Sequence, residues 1–167
     1  MNDIRIRAVC ASDVECLLRW RNDKEIFRYL GGGYNPVTKE KQTEIVNAMI
    51  KDNAEGKAKR YIIENSGEKI GFVGLYDINK LNATCEFGIY IGEKKEWGKG
   101  YAKQAYRLAE KEAKDLGIRK IKLYVVRENV SAVKMYEKLH FREIGYFEKE
   151  RLIDGVYHDV IIMEKII

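Results

Sequence analysis

The chain has 167 residues, 46% of them hydrophobic, which is enough for one substantial core, and no long polar segment divides it into two domains. Its 31 Lys and Arg against 26 Asp and Glu leave a net charge of +5, but the two signs are interspersed, which disfavours a nucleic-acid-binding face. The start, Met1-Asn2-Asp3-Ile4-Arg5, lacks an apolar signal stretch, and runs such as Val160-Ile161-Ile162-Met163 are too short to span a bilayer, so a cytoplasmic protein with no membrane partner is expected.

In chain order, Ile4-Arg5-Ile6-Arg7-Ala8 alternates as a strand. Ser12 then offers an N-cap with Glu15 three residues on, opening a helix with Val14, Leu17, Leu18, Phe27 and Leu30 on its apolar face, which Trp20-Arg21-Asn22-Asp23 can break in two. Gly31-Gly32-Gly33-Tyr34-Asn35-Pro36 must be a loop. Thr38 starts a second helical run with Ile45, Val46, Met49 and Ile50 on one side, ending near Asn53 to Gly56. The period then changes. Lys59 to Glu64 and Lys69 to Tyr76, joined by Asn65-Ser66-Gly67, read as a hairpin, and Thr84 to Ile91 is a third strand.

A helix follows whose Ala102, Ala105, Tyr106, Ala109, Ala113 and Leu116 recur at spacings of three and four. Gly117 stops it, Lys120 to Val126 is the next strand, and a short helix capped near Asn129 or Ser131 carries Ala132, Met135, Tyr136 and Leu139 on one face. Two strands, roughly Arg142 to Leu152 and Val156 to Lys165, close the chain around Ile153-Asp154-Gly155. Cys10, Cys16 and Cys85 are odd in number and lack metal-ligand spacing, so they read as small core residues in a reducing compartment, with no metal expected.

The most informative stretch is Glu96-Trp97-Gly98-Lys99-Gly100-Tyr101-Ala102, set between the strand Cys85 to Ile91 and the helix that ends near Leu116. Two glycines one residue apart let backbone approach an anion, and the first free N–H groups of the helix point at it with the favourable end of the dipole. Lys94, Lys95, Lys99 and Lys103 cluster where phosphates would lie. Glycines at a strand-to-helix turn also occur simply to make the turn. The sequence Arg127-Glu128-Asn129-Val130-Ser131-Ala132 leading to Tyr136 and Phe141 makes the pattern far more specific.

Together these motifs resemble the GNAT superfamily of acetyl-coenzyme A dependent N-acetyltransferases, whose pyrophosphate loop reads R/Q-x-x-G-x-G/A and whose next segment reads N-x-x-A-x-x-x-Y-x-x-x-G-F. The patterns fall on Lys95-Glu96-Trp97-Gly98-Lys99-Gly100 and on Asn129, Ala132, Tyr136 and Phe141. Two positions depart: Lys95 stands where Arg or Gln is usual, which keeps the charge and loses the bidentate fork, and His140 stands where Gly is usual. The order of elements matches over essentially the whole chain, implying one GNAT domain over residues 1–167. Its α/β (α+β) fold is a mixed, mostly antiparallel twisted sheet of about six to seven strands with helices on both faces. Arg19-Trp20-Arg21-Asn22, Glu86-Phe87-Gly88 and Asp154-Gly155-Val156-Tyr157-His158-Asp159 further look like the branch of Rim-type ribosomal-protein N-terminal acetyltransferases, which also holds polyamine and amino-sugar acetylases.

The resemblance implies acetyl-coenzyme A as cosubstrate, bound by Ile89, Tyr90, Ile91, the run from Lys95 to Ala102, and Asn129. A primary amine is mostly protonated at neutral pH, so a carboxylate base helps, and Glu86 is the first choice; an exposed strand glutamate or a structural ion pair is its other reading. By resemblance Tyr136 donates a proton to the coenzyme thiolate, although it also sits on the apolar face of its helix. Asn129 binds the cofactor arm or merely caps the helix. Backbone N–H groups around Ile89 to Ile91 polarise the thioester carbonyl. Trp20, Tyr29, Tyr34 and Tyr76, with Asp77, Glu148 and His158, are candidates to line the acceptor pocket, a core position being the first reading of Trp20 and His158, and His140 is expected to pack behind its helix. The expected activity is direct acetyl transfer to a primary amine, first a protein N-terminus, with a polyamine, amino sugar or aminated antibiotic as the alternative acceptor. A non-catalytic acyl-coenzyme A sensor is the other class, and a monomer or homodimer is expected.

Overall fold

A computed structural model describes residues 4–167; residues 1–3, the start of the stretch read above for a signal, lie outside the described residues. The elements run β1 (Ile4–Ala8), α1 (Val14–Arg21), α2 (Lys24–Phe27), α3 (Lys39–Glu55), β2 (Lys59–Asn65), β3 (Glu68–Asn79), β4 (Thr84–Ile91), α4 (Tyr101–Asp115), β5 (Lys120–Val126), α5 (Val130–Lys138), β6 (Arg142–Ile153) and β7 (Val156–Ile166). The strands form a seven-stranded sheet in the order β1-β2-β3-β4-β5-β7-β6. All neighbours are antiparallel except β4 and β5.

Local chemistry sets most boundaries. Thr38 Oγ1 accepts the Lys41 N–H at 3.2 Å, and Gly56, at φ 72°, ends α3 in the left-handed conformation that glycine adopts freely. Asp154 and Gly155 turn β6 into β7 with φ of 50° and 79°. Ser12 does not cap α1. A short 3-10 turn, Ala11–Asp13, intervenes, and the buried Asp13 carboxylate instead accepts the Cys10 N–H at 2.8 Å. The expected break after Trp20 is present, since α1 ends at Arg21 and Asp23 caps α2.

Helices cover both faces of the sheet. On one, Ala105, Tyr106, Ala109 and Ala113 of α4 are fully buried against Cys85, Phe87, Ile121 and Leu123. Small alanines let this helix approach the strands closely; Leu116, expected on the same stripe, is 37% exposed at the helix end. On the other face, α1 to α3 bury Leu17, Trp20, Ile26 and Val46 against Ile62 and Phe72, each large apolar side chain contributing about 1.5–3 kcal/mol. Cys16 and Cys85 are buried, whereas Cys10 is exposed, contrary to its core reading. No helix among the described residues is long and apolar enough to cross a membrane.

The feature that positions a site is a split in the sheet. β4 and β5 pair only from Thr84–Lys120 to Glu86–Lys122, while β4 continues to Ile91 and β5 to Val126. Beyond Glu86 the two parallel strands have no mutual ladder, so backbone groups on that side of β4 are left to other partners.

Candidate active site

Two clefts open around the split. One, of about 710 Å³, contains Glu86, Tyr76, Asp77, Tyr124 and Tyr136; the other, of about 850 Å³, runs past Trp97, Gly98, Gly100 and the start of α4 to Met135 and Lys138 of α5. Ile89, Tyr90, Asn129, Ala132 and Tyr136 belong to both. The two chambers therefore meet at the free edge of β4, opposite Tyr136.

Alternation along β4 decides which groups face where. Phe87, Ile89 and Ile91 pack toward the α4 side, and Glu86, Gly88 and Tyr90 share the face covered by α1 to α3. In the plane of the sheet, the Gly92 N–H donates to the Ile70 carbonyl at 2.8 Å, and the Tyr90 carbonyl lies against Gly71, so the peptide groups of Tyr90 belong to the β3 ladder. Those of Ile89 and Ile91 consequently point into the split. One is already used: the Trp97 indole N–H donates to the Ile91 carbonyl at 2.8 Å.

The glycine loop has the geometry its sequence suggests. Gly98 and Gly100 adopt φ of 74° and 81°, and a Cβ at either would meet open space, so backbone conformation rather than crowding calls for glycine. The first bond into α4 runs from the Gln104 N–H to the Gly100 carbonyl at 3.3 Å, which leaves the N–H groups of Tyr101, Ala102 and Lys103 without intrahelical partners at the cleft wall. A diphosphate fits such a terminus.

The lysines distribute differently from the expectation. Lys95 Nζ pairs with Glu68 at 3.2 Å, Lys94 with Asp23 and Glu25, and Lys99 with Glu96 at 3.1 Å. None of these three lines the cleft. Lys103 does, together with Lys134 and Lys138 of α5, which sequence reading passed over. Their spacing of four residues on one helix was the available signal.

Glu86 is half-buried between Tyr76 on β3 and Lys122 on β5. Burial, and then the Asp77 carboxylate, push its pKa up, with Lys122 opposing, so its carboxylate is a stronger base than a free glutamate. Asp77 reaches this position through an irregularity in β3 just past Tyr76, where its own φ is 46°. The ring of Tyr76 lies over Gly74 and Gly88 beneath the Arg60 guanidinium, and burial pushes its hydroxyl up to about 12.

Tyr136 is 6% exposed, edge-on to Phe87 and Phe141. Burial pushes its hydroxyl pKa well above the ordinary value, so it is protonated at physiological pH. Asn129 lies at the N-terminus of α5 with no bond from its side chain to the helix backbone; its amide oxygen accepts from the Ser131 hydroxyl at 3.3 Å.

Of the other acceptor candidates, Tyr29, Tyr76 and Asp77 line the 710 Å³ cleft. Trp20 is core, its indole N–H donating to Glu93 at 2.9 Å, and His158 pairs with Glu128 at 3.0 Å. Tyr34 and Glu148 do not line it. Glu150, Tyr124 and Phe147, not anticipated, do. His140 is exposed rather than packed, at φ 68° directly after α5.

This architecture defines an acyl-coenzyme A dependent transferase domain. Residues 3–142 match the family model for the acetyltransferase (GNAT) domain, and the chain belongs to that family. It is 32% identical over 162 residues to spermidine N(1)-acetyltransferase of Vibrio cholerae, covering 95% of this chain and 90% of the relative. The crystal structure of the Vibrio cholerae spermidine N-acetyltransferase in complex with CoA and spermine superposes with a TM-score of 0.88 at 30% identity, covering 98% and 95% of the two chains. A dodecameric structure of that enzyme superposes at 0.83, with 29% identity over 98% and 93%. The fold is thus the GNAT fold and the activity acetyl-coenzyme A dependent N-acetyl transfer.

Proposed function

We propose that this chain acetylates a small primary amine, by direct transfer within a ternary complex, in the cytoplasm. The observation that carries the reading is the meeting of the two clefts at the β4 edge, with Glu86 on one wall and Tyr136 on the other. Acetyl-coenzyme A supplies the thioester; Lys103, Lys134, Lys138, the glycine loop and Asn129 hold its phosphates and arm. Glu86 takes a proton from the ammonium of the acceptor, freeing the lone pair that attacks the carbonyl carbon. The N–H groups of Ile89 and Ile91 face the carbonyl oxygen as it gains charge. As the C–S bond breaks, Tyr136 gives its proton to the departing sulfur, and the second proton of the attacking nitrogen passes to the tyrosinate, restoring it. Two unbridged buried cysteines suit a reducing compartment.

The acceptor expected first from sequence, a protein N-terminus, is less well supported than the alternative. Spermidine and spermine are the amines named for the relatives, and Asp77, Glu86 and Glu150 give the cleft carboxylates suited to a cation. An N-terminal amine, with a pKa near ~7.7, also has less need of a base with raised pKa. The dodecameric relative favours an assembly larger than a monomer or homodimer, which light scattering measures. The deciding assay is thiol release from acetyl-coenzyme A with spermidine, amino sugars, short-chain amines and peptides. Release with small amines at least tenfold above peptides is the expected result. Release with peptides alone moves the assignment to the Rim-type branch, and none with any amine leaves a sensor.

A further inference from the structure

At the end of the acceptor cleft beneath α1 and α3, two buried polar side-chain atoms have no hydrogen-bond partner. The Nε of Arg21 and the Oε1 of Gln42 are both buried, and neither makes a hydrogen bond. Gln42 is 2% exposed, one helical turn before Val46 on the buried side of α3, and both residues line the cleft together with Leu17, Met49 and Tyr90. Each orphaned polar group of this kind costs on the order of 1–3 kcal/mol, so such groups are rare unless something occupies them.

Arg21 is also the cleft's uncommitted cation. Its guanidinium lies over the Phe27 ring at 5.6 Å, and no carboxylate among the described residues sits within ion-pair distance of it. Arg60 is held by Asp52 at 2.9 Å, and Arg151 donates to the Leu30 carbonyl at 2.6 Å. The carboxylates gather at the other end, around Glu86 and Asp77. Since Glu86 and Tyr90 share one face of β4, four residues apart, the acidic and cationic ends are separated by about 13 Å of strand. A polycation would bring a second ammonium toward Arg21. An anion there would accept from the guanidinium fork, and the Gln42 amide can present either its oxygen or, turned end for end, its NH2 group.

We propose that Arg21 and Gln42 form an anchor for an anionic group on the acceptor, so that the preferred substrate is a small zwitterion, a primary amine carrying a carboxylate or phosphate. This rests on the small-amine reading and narrows it.

The test compares matched acceptors: L-ornithine with putrescine, and glucosamine 6-phosphate with glucosamine. Wild type is expected to show a kcat/KM at least tenfold higher for the anionic member of one pair, and which pair responds separates carboxylate from phosphate. Arg21→Gln should raise KM for that acceptor at least tenfold and abolish the preference, with KM for acetyl-coenzyme A within twofold of wild type. Gln42→Leu, close in volume, should raise the same KM by a smaller factor. Preference for putrescine or glucosamine, or unchanged discrimination in Arg21→Gln, overturns the anchor. Turnover of spermidine with neither anionic acceptor leaves the small-amine reading standing and sinks this one. If no amine turns over, calorimetry of ornithine and glucosamine 6-phosphate against protein saturated with CoA decides, and the absence of binding heat overturns the proposal.

Discussion

The indole N–H of Trp97 donates to the carbonyl of Ile91 at 2.8 Å, fastening the glycine loop to the last residue of β4. The bond joins two walls of the 850 Å³ cleft: the strand edge proposed to face the thioester and the loop that leads to the helix N-terminus. Trp97→Phe keeps most of the ring and removes the donor. A neutral hydrogen bond of this kind is worth about 0.5–1.5 kcal/mol. The expected outcome is a Kd for acetyl-coenzyme A weakened about 2–10-fold by calorimetry, with the melting temperature lowered by only about 2–4 °C; equal Kd values would show that the loop is held by other contacts.

Tyr136 is positioned by apolar packing, not by a hydrogen bond that would report its role. Tyr136→Phe preserves the edge contacts with Phe87 and Phe141 and removes only the hydroxyl. General acids contribute about 10²–10⁴-fold, so kcat should fall by at least ~100-fold while acetyl-coenzyme A binding stays within about twofold. A kcat within threefold of wild type removes Tyr136 from the acid role.

Glu86 makes two separable predictions through one raised pKa. As a base, its replacement by Gln should lower kcat/KM by about 10²-fold, with the deficit growing as pH falls and free amine becomes scarce. For stability the sign is reversed from the usual carboxylate. The folded state holds the Glu86 proton more tightly than the unfolded chain, so the protonated form is favoured on folding and that advantage is lost as pH rises through the folded pKa. Glu86→Gln should therefore melt higher than wild type at neutral pH, with the difference vanishing below about pH 4.3, the unfolded value. A variant less stable than wild type at pH 7 would mean that the carboxylate has a structural partner.

The order of elements was readable because each boundary is set locally: Thr38 and Gly56 around α3, Asp154 and Gly155 between β6 and β7. The left-handed geometry of the glycine loop was readable for the same reason, since Gly98 and Gly100 act through their own backbone. What depends on distant partners was not. Lys95 belongs to Glu68, 27 residues away, and no side chain caps α1: Asp13 stands at its N-cap without a cap bond, its carboxylate held instead by Arg7, Lys69 and the Cys10 N–H. Arg21 and Gln42 left a faint trace. Gln42 precedes Val46 and Met49 at helical spacing, a polar residue on an apolar stripe, and Arg21 follows Leu17 in the same way.

The family's usual glycine before Phe141 has a backbone reason in this chain. His140 follows the last residues of α5 at φ 68°, and its N–H donates to the Glu137 carbonyl at 2.9 Å, so the position demands a left-handed residue. A side chain there costs about 1–2 kcal/mol, partly offset by the greater freedom of glycine when unfolded. His140→Gly should stabilise the protein by roughly 0.5–1 kcal/mol, read as a higher urea midpoint at unchanged slope. A lower midpoint would mean that the imidazole makes a stabilising contact.

Asp13 ties β1, the start of α1 and β3 together from a fully buried position. Arg7 donates to both of its oxygens at 2.8 Å, Lys69 lies 2.7 Å away, and the Cys10 N–H completes the set. Burial alone would raise its pKa, but the hydrogen bonds from Arg7, Lys69 and Cys10 outweigh that and hold it well below the usual carboxylate range. A depressed folded pKa means that this contribution is complete above the unfolded value of about 3.9 and is lost as pH falls toward the folded one. Asp13→Asn leaves Arg7 and Lys69, each about a third exposed, facing a neutral amide, and losing charge-assisted hydrogen bonds of this kind costs about 1.5–3 kcal/mol. The variant should therefore unfold at much lower urea than wild type at pH 7. The gap should persist to about pH 4 and narrow only in stronger acid. A gap that closed between pH 7 and pH 5 would place the titration on another group.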